Sequence, residues 1–458
     1  MSLNVASSIA NSALSASQSQ LSVTASNIAN ADTDGYTRKV ATVEASTTNG
    51  VGTGVTVTGL TSKVSRLLIA DLADTTTSAS AATVTADYLD QLQTAMGSTT
   101  DSDDTGTSLA NRIASLETAL TELVNTPESS TLADTAVTEL EDLTAQLRST
   151  SSSVQSLRKS ADSAIGDAVD TANDAICTIG SLNDQILAAS ARGESTADLE
   201  DERNQALVSL AEQLDVTSFI SSDGTMKVYT DSGQILVGES AHYLEFDTSS
   251  IVTADTSYDG GTGTLSGVTV DGNDITEDID SGAIGALLTL RDETLTETQD
   301  ALDELATTLI SELNAVTTDL LTGTGASDIA VSDAFADDPD SILGTTDTAA
   351  AAQDLLDAVT GDADFDAAGA LGARTTTFAD YASDILTDAV SKATSAASIL
   401  DTQTTALETI SDSISSLYGV NVDEETERMS ELETLYSASA QLLSTIQEMY
   451  DALLAAVS

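Results

Sequence analysis

The last thirty residues of the chain carry an apolar or small side chain at every a and d position of a heptad repeat. The spacing alternates strictly between three and four at Met429, Leu432, Tyr436, Ser439, Leu443, Ile446, Tyr450, Leu453 and Val457. So narrow a line is typical of a helix that packs lengthwise against another helix. Eight of these nine side chains are apolar, and burying each one contributes roughly 1.5–3 kcal/mol. The chain must therefore cover this line with a partner helix.

The N-terminal residues predict a second, thinner line of the same kind. Residues 3–30 are rich in Ser, Ala and Asn, and Leu14, Leu21 and Ile28 are seven residues apart. We expect this helix to end within residues 30–35, because Asn and Asp favour turns and Gly35 can adopt a positive φ. Beyond the turn, the alternation in residues 51–60 predicts a short extended segment.

The interior is predicted to be mainly helical, with one small β domain. Aromatic residues make up only 3% of the chain and Trp is absent, so cores of Ala, Leu, Ile and Val suit slender helical layers. A heptad line over residues 131–190 predicts a helix about 90 Å long, since each residue adds about 1.5 Å. Between residues 215 and 282 the period changes to two, with Gly-containing turns, which predicts short antiparallel strands.

This order of segments takes the chain outward through helices, into the β domain and back, so both ends lie on the same side. The predicted fold is a mainly α, long helical bundle or coiled-coil rod, with paired terminal helices and an antiparallel β domain inserted at the distal tip. Its segments are the N-terminal half of an inner helical part (1–45), a helical rod (46–214), the β domain (215–282), a helical return (283–322), an acidic loop region (323–374), the last rod helix (375–418) and the C-terminal half of the inner part (419–458).

The net charge of −59 excludes several classes of partner. With 74 acidic and 15 basic residues and no basic stripe, the chain repels nucleic acid and anionic membrane surfaces. No apolar run has the length that spans a bilayer. Adaptation to high salt is the favoured explanation, because molar salt shortens the Debye length to about 3 Å. An alkaline habitat and evolutionary drift are the alternatives.

The sequence carries no pattern that indicates catalysis or a cofactor. His242 is the only histidine, and no nucleophile motif accompanies it. Aspartates alternate in residues 362–366 as in a calcium loop, but Ala367 and Ala373 occupy the positions where that loop requires Gly and Glu. Cys177 lies in an apolar helical stretch, where we expect an inert core thiol. We therefore predict a protein that is not an enzyme and binds no cofactor or metal.

Both ends of the chain resemble the flagellar rod, hook and hook-associated family. Near the N-terminus the resemblance rests on residues 26–30 (SNIAN) and 34–38 (DGYTR). Near the C-terminus it rests on residues 419–425 (GVNVDEE), 435–440 (LYSASA) and 449–454 (MYDALL). The motifs stand in the order and register of that family.

The helical interior resembles the hook-associated branch of the family, since hook and rod proteins are mostly β between their ends. Residues 181–186 (SLNDQI) and 199–207 (LEDERNQAL) resemble its helical hairpin, and residues 285–291 resemble its return into helix. Two features depart from the pattern. Residues 323–374 are short where many members carry a further outer domain, so we expect that domain to be reduced, and the acidity is unusual.

The resemblance implies a structural component of the bacterial flagellum that joins hook to filament and assembles through its terminal helices. The implied partners are copies of the chain in a ring, the hook protein, a second junction protein (hook-associated protein 3) and an export chaperone at the C-terminal helix. It also implies an extracellular location, reached through the flagellar type III export apparatus without a cleaved signal peptide. A hook or rod protein is the alternative, and an acidic surface-layer or adhesive protein is a weaker one.

We predict the assembly surface from the two heptad lines. Its residues are Leu14, Leu21, Ile28, Met429, Leu432, Tyr436, Leu443, Ile446, Tyr450, Leu453 and Val457. Asn30, Gly35 and Tyr36 form the predicted turn motif, which redirects the chain from the terminal helix toward the outer part.

Overall fold

Helices dominate the structure, a computed structural model that describes residues 3–33, 35–48, 51–62, 64–98, 106–260, 263–344 and 347–457. Within these residues the α-helices are α1 (Leu3–Ala29), α2 (Arg66–Met96), α3 (Leu109–Asn125), α4 (Ser130–Arg192), α5 (Ala197–Gln213), α6 (Gly282–Thr289), α7 (Leu295–Val316), α8 (Asp333–Ala336), α9 (Thr348–Thr360), α10 (Phe378–Tyr418) and α11 (Val422–Val457). The prediction of a mainly α chain with paired terminal helices and small antiparallel sheets is confirmed.

The long helix expected over residues 131–190 is α4, which has 63 residues. At about 1.5 Å per residue it is about 95 Å long. Its apolar line is buried along most of its length, at Leu140, Leu143, Leu147, Val154, Ile165, Ile176, Ile179 and Ile186. This helix ends before Gly193, whose φ of 74° provides the left-handed residue that commonly follows a helix.

The strands form small antiparallel sheets. They are β1 (Lys39–Thr48), β2 (Val51–Ser62), β3 (Val216–Ile220), β4 (Met226–Thr230), β5 (Ile235–Val237), β6 (Leu244–Glu245), β7 (Thr269–Val270), β8 (Asn273–Asp274), β9 (Leu321–Thr322), β10 (Ala330–Val331), β11 (Ala363–Phe365) and β12 (Arg374–Thr376). β1 pairs with β2, β3-β4-β5 and β6-β7-β8 form three-stranded sheets, and β9–β10 and β11–β12 pair in twos. The extended segment expected at residues 51–60 is thus one arm of a longer hairpin, in which Lys39 lies opposite Ser62.

The chain forms two compact units. The first contains Met1–Thr77, Thr171–Tyr243 and Thr404–Ser458, and the second contains Ser78–Asp170 and Leu244–Gln403. The segment predicted as one β domain, residues 215–282, holds two sheets that belong to different units: β3–β5 to the first and β6–β8 to the second. Periodicity identifies strands but does not reveal which strands share a sheet.

In the first unit, α1 packs against α11 and against the β1–β2 hairpin. Ser12 links the helix to the hairpin, because its Oγ accepts a hydrogen bond from the Val55 amide at 3.1 Å. Gly54, with a φ of 135°, leaves room for this contact, since an added Cβ would meet the Ser12 side chain. The hairpin therefore lies directly against the N-terminal helix.

In the second unit, the core is a continuous cluster of small and branched apolar side chains, as the low aromatic content suggests. α3 and α7 both pack against α9 in it. Its aromatic part is a trio in which the Phe365 ring stacks on Tyr381 at 4.0 Å between centroids and meets Phe378 edge-on at 5.5 Å.

A fully buried ion pair fixes the return into helix in the second unit. Leu290–Thr294 form a π-helical turn between α6 and α7. Within it, Arg291 Nη1 lies 2.7 Å from the Asp162 carboxylate, and both side chains are 0% exposed. Arg158 Nε donates to the Arg291 carbonyl at 2.9 Å, and its Nη2 donates to the Thr256 carbonyl at 2.8 Å. Arg158 therefore holds the loop around residue 256 against α4, and Arg291 holds the π-helical turn against the same helix.

Two expectations are corrected by the structure. β10, α8, α9 and β11 lie within residues 323–374, where the sequence predicted an acidic loop region, and apolar residues of this region such as Ile329, Ile342 and Leu355 belong to the buried core cluster. α9 alone shows a helical period, at Ala352, Leu355 and Val359, whereas the strands and α8 are too short to show one. Cys177 is exposed on α4, so it is not the core thiol that its apolar neighbours suggested.

Candidate functional site

The two terminal helices form an antiparallel pair. Near the start of α1, Asn4 Oδ1 accepts a hydrogen bond from Tyr450 Oη near the end of α11. Near the end of α1, Asn27 Nδ2 donates to Glu425 Oε2 at 3.1 Å, in the first turn of α11. The partner of the C-terminal heptad line within the chain is therefore its own N-terminal helix.

The predicted surface on α11 divides between buried and exposed side chains. Leu432 and Ile446 are buried, each 4% exposed. Met429, Leu443 and Tyr450 are half-buried. Tyr436 and Leu453 are exposed. The side chain of Val457 lies outside the described residues. The pairing with α1 thus leaves part of the heptad line exposed, at Tyr436 and Leu453.

On α1, the predicted residues Leu14, Leu21 and Ile28 are all half-buried. The fully buried residues of this helix are smaller: Ala10, Ala16, Ser17, Thr24 and Asn27. Ala10, Ser17 and Thr24 are themselves seven apart, so small side chains lie where the neighbouring elements approach most closely. A search for apolar residues alone overlooks such a line, although its spacing is visible in the sequence.

A second apolar stripe on α11 remains open to solvent. We call Leu435, Leu442 and Met449 the flanking stripe; each directly precedes a residue of the predicted surface, and they are seven residues apart. Their exposed fractions are 56%, 50% and 46%. Contiguous exposed apolar side chains of this kind mark sites of protein interaction. These three residues do not occupy a or d positions of the heptad repeat, so the predicted assembly surface did not include them.

The predicted turn motif closes the end of α1. Asn30 Nδ2 donates to the Ser26 carbonyl at 2.9 Å, which satisfies a carbonyl of the last helical turn. Gly35 has a φ of 70°, and an added Cβ would lie 2.7 Å from Gln205 Cγ on α5. The motif therefore requires glycine both for backbone conformation and for space.

After the turn, a polar junction joins both ends of the chain. It consists of Asn27, Tyr36, Arg38, Lys39 and Glu425. Asn27 Oδ1 accepts from Tyr36 Oη and from the Lys39 amide, both at 3.0 Å, and Asn27 Nδ2 donates to the Lys39 carbonyl at 3.0 Å. Arg38 Nε donates to Glu425 Oε1 at 2.7 Å. One asparagine thereby fixes α1, the turn and α11 relative to one another.

The same segment is bound to α5 through Asp201. Lys39 Nζ forms a buried ion pair with the Asp201 carboxylate. The Thr37 amide donates to Asp201 at 2.9 Å and the Thr37 hydroxyl does so at 2.7 Å. Lys39 Nζ also lies 5.0 Å from the Tyr36 ring centroid. Burial raises the pKa of Tyr36, its hydrogen bond to Ser26 lowers it, and the nearby carboxylates of Asp198, Asp201 and Glu425 raise it further.

These buried groups act structurally, as positioning contacts between chain segments. Among the described residues, no group of three or more His, Cys, Asp or Glu side chains is placed to hold a metal ion. Asp364 of the aspartate-rich stretch lies in β11 and accepts a hydrogen bond from Thr375 Oγ1 at 2.6 Å. None of the helices in the described part has the length and apolarity that a membrane span needs.

The family model described as the flagellar hook-associated protein FlgK helical domain matches residues 73–331, more than half of the chain. This chain belongs to the FlgK family. The model of the flagella basal body rod protein matches residues 8–37, which include most of α1 and the turn motif. The family's helical domain therefore accounts for the interior, and the rod-protein motif accounts for the N-terminal end.

Individual proteins are similar to parts of the chain. The flagellar hook-associated protein 1 of Escherichia coli (strain K12) is 30% identical over 176 residues, which are 38% of this chain and 31% of that protein. The chain thus matches less than a third of the length of that relative. A solved structure of the flagellar hook junction protein FlgK from Burkholderia pseudomallei is 25% identical in sequence to this chain. The match covers 55% of this chain and 44% of the chain in that structure, with a TM-score of 0.45.

Proposed function

We propose that this protein is a structural component of the bacterial flagellum that joins hook to filament and assembles through its terminal helices. Membership of the FlgK family supports the role. The observation that carries the assembly surface is the flanking stripe, which stays exposed after α1 and α11 have paired. Because the three side chains are about half exposed, burying them against a neighbour contributes roughly 2–5 kcal/mol before the costs of association.

In this proposal the predicted residues have two tasks. Leu432 and Ile446, with the half-buried Leu14, Leu21 and Ile28, hold the terminal pair together. Tyr436 and Leu453, with the flanking stripe, remain available to other subunits. Residues 1–45 and 419–458 then form the inner assembly part, and the remaining helices and sheets form the outer part.

The proposed partners are other copies of the chain in a ring, the hook protein, hook-associated protein 3 and an export chaperone at α11. The proposed location is extracellular, in the flagellum, after export through the type III apparatus without a cleaved signal peptide. The proposed role needs no catalysis and no cofactor, because it rests on packing of apolar helix surfaces.

A deletion strain tests the role. Loss of the protein should leave hooks intact while filament protein is shed into the medium. Absent hooks would instead indicate a hook or rod protein. Filaments that stay attached without the protein would refute a junction role.

Complementation of that strain tests the surface. Leu442→Asp and Leu453→Asp should fold normally, because both side chains are exposed, yet fail to restore attached filaments. Ile251→Asp is the matched control, since Ile251 is 68% exposed in the second unit. If the Leu442 and Leu453 variants anchor filaments as well as the control does, this face of α11 is not the assembly surface.

A further inference from the structure

A cavity of about 480 Å³ lies in the first unit, outside the terminal helix pair. It is bordered by β3, by α5 and by the first turn of α2. No acidic residue stands in that first turn, so the positive end of the helix dipole is not offset there. No residue of the polar junction borders the cavity, although Asp201, which binds Lys39 and Thr37, does.

Two arginines line this cavity without a carboxylate partner of their own. Arg66 is exposed and begins α2, whereas Arg203 of α5 is only 1% exposed. Within the described part of the chain, neither forms an ion pair. Arg203 Nη1 donates to Asn183 Oδ1 at 3.0 Å and to the Gly224 carbonyl at 2.7 Å. Its Nε is buried and has no acceptor among the described residues.

The two acidic residues in the lining are already engaged. Asp201 is bound by Lys39 and Thr37. Glu200 accepts a hydrogen bond from Thr196 Oγ1 at 2.7 Å. Burial lowers the pKa of Arg203, Glu200 raises it, and the neighbouring positive charge of Arg66 lowers it again. The two guanidinium groups therefore repel each other in the free chain.

The rim of the cavity offers apolar contact and an open strand edge. Phe219 is 50% exposed, and its ring stacks on Tyr229 at 5.5 Å between centroids. β3, which carries Phe219, is the edge strand of its sheet and pairs with β4 on one side. No described strand pairs with its other side. Edge strands with exposed aromatic side chains are suited to receive an extended segment of another chain.

We propose that this cavity receives an acidic surface segment of a second copy of the chain, with a carboxylate on the exposed Arg66, near the buried charge of Arg203, and its backbone along β3. The inference rests on the proposed function, since it assumes that copies lie side by side. Charge supports this occupant. Each copy carries −59, so copies repel one another except where a cationic site meets the acidic surface of its neighbour.

Sedimentation velocity of the full chain over a concentration series tests the proposal. Arg66→Glu should lower the association constant about tenfold or more, because the new carboxylate would repel the acidic segment of the second copy. Lys159→Glu is the matched control: Lys159 is exposed in the second unit and makes no ion pair in the described residues, and the change in net charge is identical. Arg66→Lys retains the charge and should associate like the wild type.

The outcomes separate the two proposals. If the chain associates and Arg66→Glu matches Lys159→Glu, the cavity is not a contact between copies, and the assembly role stands. If the wild type remains monomeric at every concentration, both the contact and self-assembly of the isolated chain are refuted. Arg203→Gln, which removes the buried charge, should also weaken association relative to the wild type; an unchanged association constant for this variant would again exclude the cavity.

Discussion

Arg38 holds the carboxylate of Glu425, a residue 387 positions later in the chain. Its Nε donates to Oε1 at 2.7 Å, and its Nη2 lies 2.6 Å from the same oxygen. Glu425 is 1% exposed, whereas Arg38 is 32% exposed. The carboxylate is thus shielded and depends on Arg38 and Asn27 for its hydrogen bonds, which anchors the start of α11 to the segment that follows α1.

Replacing Glu425 with Ala should lower the free energy of unfolding of the first unit by about 1–3 kcal/mol, because Asn27 loses a buried acceptor while Arg38 is partly hydrated. Urea unfolding of the full chain measures the change. Glu427→Ala removes an exposed carboxylate from the same helix turn and should leave the midpoint unchanged. Equal midpoints for both variants would show that the junction does not stabilise the terminal pair.

Gly35→Ala and Gly193→Ala separate two roles of glycine. Both have positive φ, 70° and 74°, so each alanine should cost about 1 kcal/mol. Only at Gly35 would the new Cβ collide with a neighbour, the Gln205 side chain. We expect Gly35→Ala to be the more destabilising by about another 1 kcal/mol in thermal or urea unfolding. A smaller loss at Gly35 than at Gly193 would show that Gln205 moves aside freely.

Tyr381→Phe should stabilise the second unit. Tyr381 is fully buried, and its hydroxyl has no hydrogen-bond partner among the described residues. Burial raises the pKa of Tyr381 to about 12, and the charge of Glu304 raises it as well. Removing the hydroxyl keeps the ring stack on Phe365 and should raise the free energy of unfolding by about 1 kcal/mol.

The control for that substitution is Tyr88→Phe. Tyr88 Oη contacts the exposed Ser160 Oγ at 3.3 Å, where water can replace it. This variant should unfold at the wild-type midpoint. Destabilisation by Tyr381→Phe would reveal that the hydroxyl does have a partner in solution.

Asp303 should make the second unit less stable as the pH rises. Burial raises its pKa, hydrogen bonds from Gln299 and the Ala326 amide lower it, and the charges of Asp255 and Asp328 raise it further. Because the folded pKa lies above the unfolded value of about 3.9, stability falls as the pH rises from that value through the folded pKa. Asp303→Asn has no carboxyl group to ionise at this position and so escapes this loss. The stability of the variant relative to the wild type should therefore increase as the pH rises through the folded pKa of Asp303. Urea midpoints from about pH 3 to about pH 7 measure it.

Asp328→Asn provides a control of opposite sign. Hydrogen bonds from the Thr324 and Gly325 amides lower the pKa of Asp328. Its contribution to stability is therefore present above the unfolded pKa and is lost as the pH falls through the folded one. Asp328→Asn should be destabilised at neutral pH and approach the wild type in acid. The same trend in both variants would contradict the assigned directions.

The sequence predicts the helices well where one apolar line repeats over many turns. α4, α10 and α11 are of this kind, and their lines needed no knowledge of tertiary structure. Most of the region 323–374 was missed because β10, α8 and β11 are only two to four residues long, too short to define a period. The hairpin of β1 and β2 was underestimated because only its second strand alternates clearly.

The polar junction could not be derived from the sequence. Asn27 is an ordinary polar residue, Glu425 is one of 74 acidic residues, and nothing local marks them as partners. The same holds for Arg291 and Asp162, which are 129 residues apart. A weak signal existed for Arg38 and Lys39, since two adjacent basic residues are rare in so acidic a chain.

The hydrogen bond between Asn27 and Glu425 spans 398 residues, and this separation orders the folding of the molecule. Closing so long a loop in an unfolded chain costs about 5 kcal/mol in entropy, before any contact compensates for it. The intervening helices and sheets, rich in local contacts, form sooner and shorten the effective loop. We therefore expect the two ends to meet last during folding and to separate first on unfolding.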